Sequence, residues 1–223
     1  MIDQIFGIPL YKTSLDSNSY DKKGILNTIL NNFEKSNDRN NWDNESYIKS
    51  KIHHSLCDES NQTFEKPDFS SLKSVYESEI KKYLKMMNYQ NLVFKFEIVN
   101  YTVMTKDSQM SNHIHTDCEF TSVHYLKFDS ESTDSTLFHN SHDYAKYLIA
   151  SLSPSLSKVC DNKSIQNSWM YQNFKIQTQE DDFIIFPAVL EHSVPRIENN
   201  GERVTIVANI HIKDYDVEIP QSY

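Results

Sequence analysis

Glycine is scarce: the 223 residues contain three, Gly7, Gly24 and Gly201. No G-x-G-x-x-G and no Walker loop can be written with them, which disfavours the phosphate-cradling nucleotide folds. Cysteine is as sparse. Cys57, Cys118 and Cys160 are far apart and odd in number. They exclude an all-cysteine zinc site and an ordinary Fe–S cluster, and they argue against a disulfide scaffold. Basic charge is in deficit, with 22 Lys and Arg against 31 Asp and Glu and a net charge of −9. Such a chain lacks the electrostatic footprint of a nucleic-acid binder. No window is apolar enough to span a bilayer, and the start, MIDQIFGIPLYK, has no basic stretch leading into a long apolar one. The expectation is a cytoplasmic protein with neither nucleic acid nor membrane as a partner. On that expectation the N-x-[ST] matches at Asn44, Asn61 and Asn162 are chance. What is present, 38% hydrophobic and 24% charged residues, is a globular composition.

No repeat and no Pro- or Gly-rich linker divides the chain, so residues 1–223 read as a single domain. The spacing predicts a helix over 20–35, with Ile25, Leu26, Ile29, Leu30 and Phe33 on one face. Residues 40–66 are polar and irregular. Pro67 and Asp68 open a stronger helix carrying Leu72, Val75, Tyr76, Ile80, Tyr83, Leu84 and Met87. After residue 90 the period falls to two: Phe94, Phe96 and Ile98 alternate with Lys95 and Glu97 in a strand running toward Met104. Further strands are expected at Thr121–Phe128, near Phe138, and at Met170–Gln177, Phe183–Pro187 and Arg203–Ile212, with a surface helix near Tyr144–Leu152. In the last strand Val204, Ile206, Ala208, Ile210 and Ile212 share one face; Arg203, Thr205, Val207, Asn209 and His211 share the other. Helices followed by antiparallel strands imply an α+β chain, mainly β: 1–90 as helical support and 91–213 as a sandwich or barrel.

Nine histidines are present, and most need no role. His53 and His54 fall in the polar N-terminal loop, and His139 and His142 flank an expected turn. The segment Ser111-Asn-His-Ile-His-Thr-Asp117 differs. His115 and Asp117 are two apart, so in an extended chain both project to one side. A second segment, Phe186-Pro-Ala-Val-Leu-Glu-His192, adds a distal histidine, and Arg203 follows eleven residues later. Two imidazoles and a carboxylate form the facial triad that suits Fe(II) and leaves coordination positions open. His113 is the rival: His113 with His115 reads as H-x-H, which with His192 would be a cupin-style metal site. A non-catalytic jelly-roll binding module, its histidines incidental, is the third possibility.

These segments resemble the Fe(II)/2-oxoglutarate-dependent oxygenase superfamily on its prolyl-hydroxylase-like side, and within it the small oxygenases of phage and marine bacteria. Ile5-Phe6-Gly-Ile-Pro9-Leu10-Tyr11 resembles their opening strand. Asn100 to Phe128 resembles the strand, H-x-D turn and strand, and 172–212 the closing hairpin with F-P-x-x-x-x-H-x-V-P and the arginine strand. The resemblance implies a double-stranded β-helix (jelly roll) with the N-terminal helices packed on one sheet. It implies Fe(II), 2-oxoglutarate and O2 as cofactor and co-substrates, and a small-molecule or peptidyl substrate hydroxylated at a C–H bond. It makes His115, Asp117 and His192 the metal ligands and catalytic centre. It makes Arg203 the partner of the distal 2-oxoglutarate carboxylate, since a planar guanidinium meets a carboxylate through two hydrogen bonds. Thr205, on the same strand face, joins that contact, and Asn209 lines the pocket. Where the family has Tyr-Tyr-Leu, this chain has His124-Tyr125-Leu126; strand parity lets one of His124 and Tyr125 reach the co-substrate.

Overall fold

Two aspartates start the two helices. The Asp21 carboxylate accepts the Gly24 amide at 3.0 Å, a side-chain cap at the entrance of α1 (Lys22–Lys35). A Cβ on Gly24 would lie 2.1 Å from that carboxylate, so the glycine leaves room for its own cap. Asp68 accepts the Ser70 amide at 2.9 Å just before α2 (Ser70–Met86). Both helices bury the stripe predicted from their spacing: Ile25 and Ile29 from α1, and Leu72, Tyr76, Ile80, Tyr83 and Leu84 from α2.

The computed structural model describes residues 7–35, 53–54, 64–89, 92–129, 131, 133–140 and 173–214. Its strands are β1 (Tyr11–Ser14), β2 (His53–His54), β3 (Val93–Met104), β4 (Met110–His113), β5 (Phe120–Lys127), β6 (Leu137–His139), β7 (Asn173–Lys175), β8 (Asp182–Pro187), β9 (His192–Val194) and β10 (Arg203–Asp214). They form a six-stranded sheet in the order β1-β8-β5-β10-β3-β2 and a four-stranded sheet in the order β4-β9-β6-β7. Every pairing is antiparallel.

The larger sheet is covered on both faces. Val204, Ile206, Ala208 and Ile210 of β10, with Tyr101, Val103, Leu126, Phe183 and Ile185, meet the helices. The other face meets the small sheet through Val123, Tyr125, Ile184 and Phe186, packed with Phe138, Ile176 and Leu190. Full burial of an aliphatic side chain contributes about 1.5–3 kcal/mol, so these two layers dominate the stability. Two facing antiparallel sheets with helices on one of them make an α+β, mainly β jelly roll, as the sequence predicts.

The structure departs from the sequence reading in several places. The short opening strand is Tyr11–Ser14, which begins at the last residue of the expected segment, and it pairs with β8. His53 and His54 lie in a strand edge beside β3, not in a loop. His139 belongs to β6, where its ring bonds Asn173 Oδ1 and Ser193 Oγ, each at 2.8 Å. Met110–His113 and His192–Val194 are paired strands that the sequence reading does not assign, while His115–Asp117 lies outside any strand, where the H-x-D turn is expected. The helix expected near Tyr144–Leu152, the start of the strand expected from Met170, and His142 lie outside the described residues.

Candidate metal centre and co-substrate pocket

Two short strands are held in register by backbone pairing, with His113 of β4 directly opposite His192 of β9. Their ring centroids are 4.2 Å apart. His115 follows two residues after His113, its amide anchored on the Ala188 carbonyl at 2.9 Å. Its ring lies 5.4 Å from that of His192 and tilted from it by 8°. One nitrogen from each of His113, His115 and His192 falls within 4.8 Å of the others.

The orientation of two rings is set by the backbone. His113 Nδ1 lies 2.8 Å from the Ser111 carbonyl, and His192 Nδ1 lies 2.8 Å from the Leu190 carbonyl. A carbonyl only accepts, so both Nδ1 atoms carry the proton and both Nε2 lone pairs are left for another partner. Metal-binding histidines are commonly oriented in this way. Burial, reinforced by the neighbouring His113, pushes the His192 pKa down to about 3. Burial and His113 likewise lower the pKa of His115, partly offset by Asp117. His115 and His192 are therefore neutral at physiological pH, the state a metal ligand needs. Phe186 meets the His192 ring edge-on at 5.0 Å.

Asp117 is exposed and lies outside the cluster of three imidazoles. Both of its carboxylate oxygens face Asn209 Nδ2 at 3.4 Å.

Deeper in the same cavity, of about 330 Å³, lie Arg203, Thr205, Thr102 and Asn209. That volume is at the lower end of small-ligand sites. Arg203 is 2% exposed. Its Nη1 lies 3.3 Å from Met104 Sδ and 3.5 Å from Thr205 Oγ1. Its guanidinium carbon sits 5.2 Å over the Tyr125 ring, and its Nε has no hydrogen-bond partner. Glu202, its neighbour in the chain, pairs with Lys127. Among the described residues no carboxylate pairs with this buried cation, and burial lowers its pKa. A buried charge without a counter-charge is costly, so the site is built to receive an anion. Thr205 Oγ1 is 2.7 Å from Thr102 Oγ1.

His124 and Tyr125 part company. Tyr125 lies on the cavity side, its hydroxyl 2.7 Å from Thr136 Oγ1 and its ring under Arg203. His124 is fully buried on the helix side, with Nδ1 2.9 Å from the Tyr76 hydroxyl and Nε2 near Tyr20 and Asp181. The structure thus lines one cavity with His115, Asp117, His192, Arg203, Thr205 and Asn209, with Asp117 on its exposed side, sets Tyr125 behind Arg203 and takes His124 away. Thr102 went unnoticed in the sequence. Strand period alone places it on one face of β3, but only the pairing Thr205↔Thr102 brings it to the pocket.

The donor set suits a first-row divalent metal such as Fe(II), and the unpaired guanidinium suits a dicarboxylate beside it. Comparison with known proteins agrees. Among solved structures, the chain is 13% identical to a prolyl hydroxylase from Trichoplax adhaerens in complex with a hypoxia inducible factor peptide fragment, covering 91% of this chain and 83% of that one at a TM-score of 0.55. It is 7% identical to a prolyl-4-hydroxylase from Pseudomonas putida, covering 92% and 93% at a TM-score of 0.50. It spans 56% of a 2OG-Fe(II) oxygenase family oxidoreductase from Burkholderia pseudomallei, with 64% of this chain, 14% identity and a TM-score of 0.44. At these identities the likeness shows the fold alone. No curated protein sequence matches the chain. Residues 100–209 match the family model described as "Putative 2OG-Fe(II) oxygenase", whose members use Fe(II), 2-oxoglutarate and O2. This segment, which holds the histidine cluster and the buried Arg203, is the part of the chain that matches the 2OG-Fe(II) oxygenase family.

Proposed function

We propose that residues 1–223 act as one cytoplasmic Fe(II)- and 2-oxoglutarate-dependent dioxygenase. Its reaction is hydroxylation of a C–H bond of an amino acid, a peptidyl residue or a small metabolite, with succinate and CO2 as co-products. The observation that carries this reading is Arg203, a buried guanidinium with no acidic partner among the described residues, in the same cavity as the imidazoles. A cupin-type enzyme without 2-oxoglutarate would use the same histidines but has no use for that cation.

When bound at His115 and His192, with a third donor from the 113–117 segment, Fe(II) would supply the redox chemistry that couples O2 to decarboxylation of the 2-oxoacid and oxidation of a C–H bond. The protein's part is positional. The backbone carbonyls of Ser111 and Leu190 fix two rings. Arg203 holds the far carboxylate of the co-substrate, and Thr205, held by Thr102, adds a hydroxyl beside it. Val99, Val123, Val194 and Val207 line the cavity and limit water around the reacting groups. The net charge of −9 favours a neutral or cationic substrate over a polyanion.

The test is succinate formation from 2-oxoglutarate under O2 without added substrate, beside the visible band of the anaerobic Fe(II)–2-oxoglutarate complex. Both are expected in the native protein and absent in Arg203→Met. Iron-dependent oxidation that persists in Arg203→Met and needs no 2-oxoglutarate would favour the cupin-type reading instead.

A further inference from the structure

The H-x-D pattern offers Asp117 as the acidic ligand, yet three observations point elsewhere. The first is register. His113 and His192 are cross-strand partners, so the metal-facing side of β4 is fixed by His113, not by His115. The next side chain on that face is two residues along, which is His115. Asp117 is a further step away, about 6–7 Å of extended chain. The second is the bonding of the rings. His113 and His192 share one arrangement, Nδ1 tied to the carbonyl two residues before it at 2.8 Å. A ring left out of the metal site would have no reason to repeat it. The third is the placement of Asp117. After His115 the chain is drawn toward the large sheet by the Ala188 amide on the Glu119 carbonyl at 3.0 Å and the Glu119 amide on the Ile210 carbonyl at 3.2 Å. There the Asp117 carboxylate accepts from Asn209, whose side chain in turn lies beside His115.

We propose that this oxygenase holds its metal with three imidazoles, His113, His115 and His192, and that Asp117 is a positioning residue acting on His115 through Asn209. The inference rests on the oxygenase reading above. In this arrangement His115 occupies the place that the acidic residue of H-x-D would fill, and His113 occupies the place of its histidine.

The experiment uses the Co(II)-loaded full chain and proton NMR in water, where each imidazole ligand contributes one strongly shifted exchangeable N–H signal. Three such signals are expected in the native protein, two in His113→Ala, and three in Asp117→Asn. In Asp117→Ala the His115 signal persists but exchanges faster with solvent, and Asp117→Asn restores its protection, because an amide oxygen still accepts from Asn209. A second variant is independent of these: His115→Asp rebuilds an H-x-D pair from His113 and is expected to keep the anaerobic Fe(II)–2-oxoglutarate band. Two signals in the native protein, or loss of metal in Asp117→Asn with His113→Ala unaffected, would overturn the three-imidazole set while leaving the oxygenase intact. A native protein that binds no Co(II) at all would overturn both.

Discussion

Arg203 and Thr102 meet the same hydroxyl from opposite strands. Thr205 Oγ1 lies 2.7 Å from Thr102 Oγ1 and 3.5 Å from Arg203 Nη1, so β3 and β10 together shape one carboxylate-receiving corner. Removing the partner hydroxyl with Thr102→Val should free Thr205 without disturbing the charge. A net hydrogen bond contributes about 1 kcal/mol, so KM for 2-oxoglutarate is expected to rise about fivefold with kcat unchanged. Steady-state kinetics with 2-oxoglutarate varied would check this; a fall in kcat alone would remove Thr102 from co-substrate binding.

Arg203 itself carries a stability cost that the ligand offsets. Arg203→Met is expected to fold at least as stably as the native chain, because a buried unpaired cation is replaced by an apolar side chain of similar length. Anaerobic 2-oxoglutarate with Mn(II) should raise the native melting temperature, since a ligand at 100 times its Kd stabilises by about 2.7 kcal/mol. The variant should show the metal-induced rise alone. An equal 2-oxoglutarate effect in both proteins would contradict the assignment.

Acid should weaken the metal-free protein through its buried histidines. Burial lowers the pKa of His124, and that of His192 to about 3, so each is neutral in the fold. Their contribution is full above the unfolded value of about 6.5 and is lost as pH falls below it, because the unfolded chain takes up protons first. Urea midpoints should therefore decline between pH 7 and 5, by up to about 1.4 kcal/mol per pH unit for each such group. Asp181, held near 2 despite its burial by His124, Lys22 and Tyr20, adds a loss of the same direction only below about pH 4. His124→Gln should flatten the upper part of the decline; an unchanged slope would exclude His124 as its source.

The helix–sheet interface should tolerate deletion poorly. Ile80 is fully buried in the cluster that joins α2 to β10. Ile80→Ala is expected to cost about 2–5 kcal/mol, read as a lower urea midpoint with an unchanged slope. A cost well below this range would mean that α2 packs more loosely than the cluster implies.

Much was legible along the chain itself. The 3.6-residue spacing of Ile25 and Ile29, and of Leu72, Tyr76, Ile80 and Tyr83, placed both helices. The strict alternation in Arg203–Ile212 placed Arg203, Thr205 and Asn209 on one face, because a strand with one polar and one apolar face writes its orientation into its sequence. Residue types and order, H-x-H-x-D then F-P…H…V-P…R, carried the family. Tertiary structure decided the rest. β5 is buried on both faces, by helices and by the second sheet, so its period is silent and only the packing shows that Tyr125, not His124, lies on the cavity side, beneath Arg203. The choice among His113, His115 and Asp117 was equally hidden, since any two of them separated by two residues share a face. Cross-strand hydrogen bonding, which no local pattern encodes, put His113 opposite His192 and turned Asp117 toward Asn209.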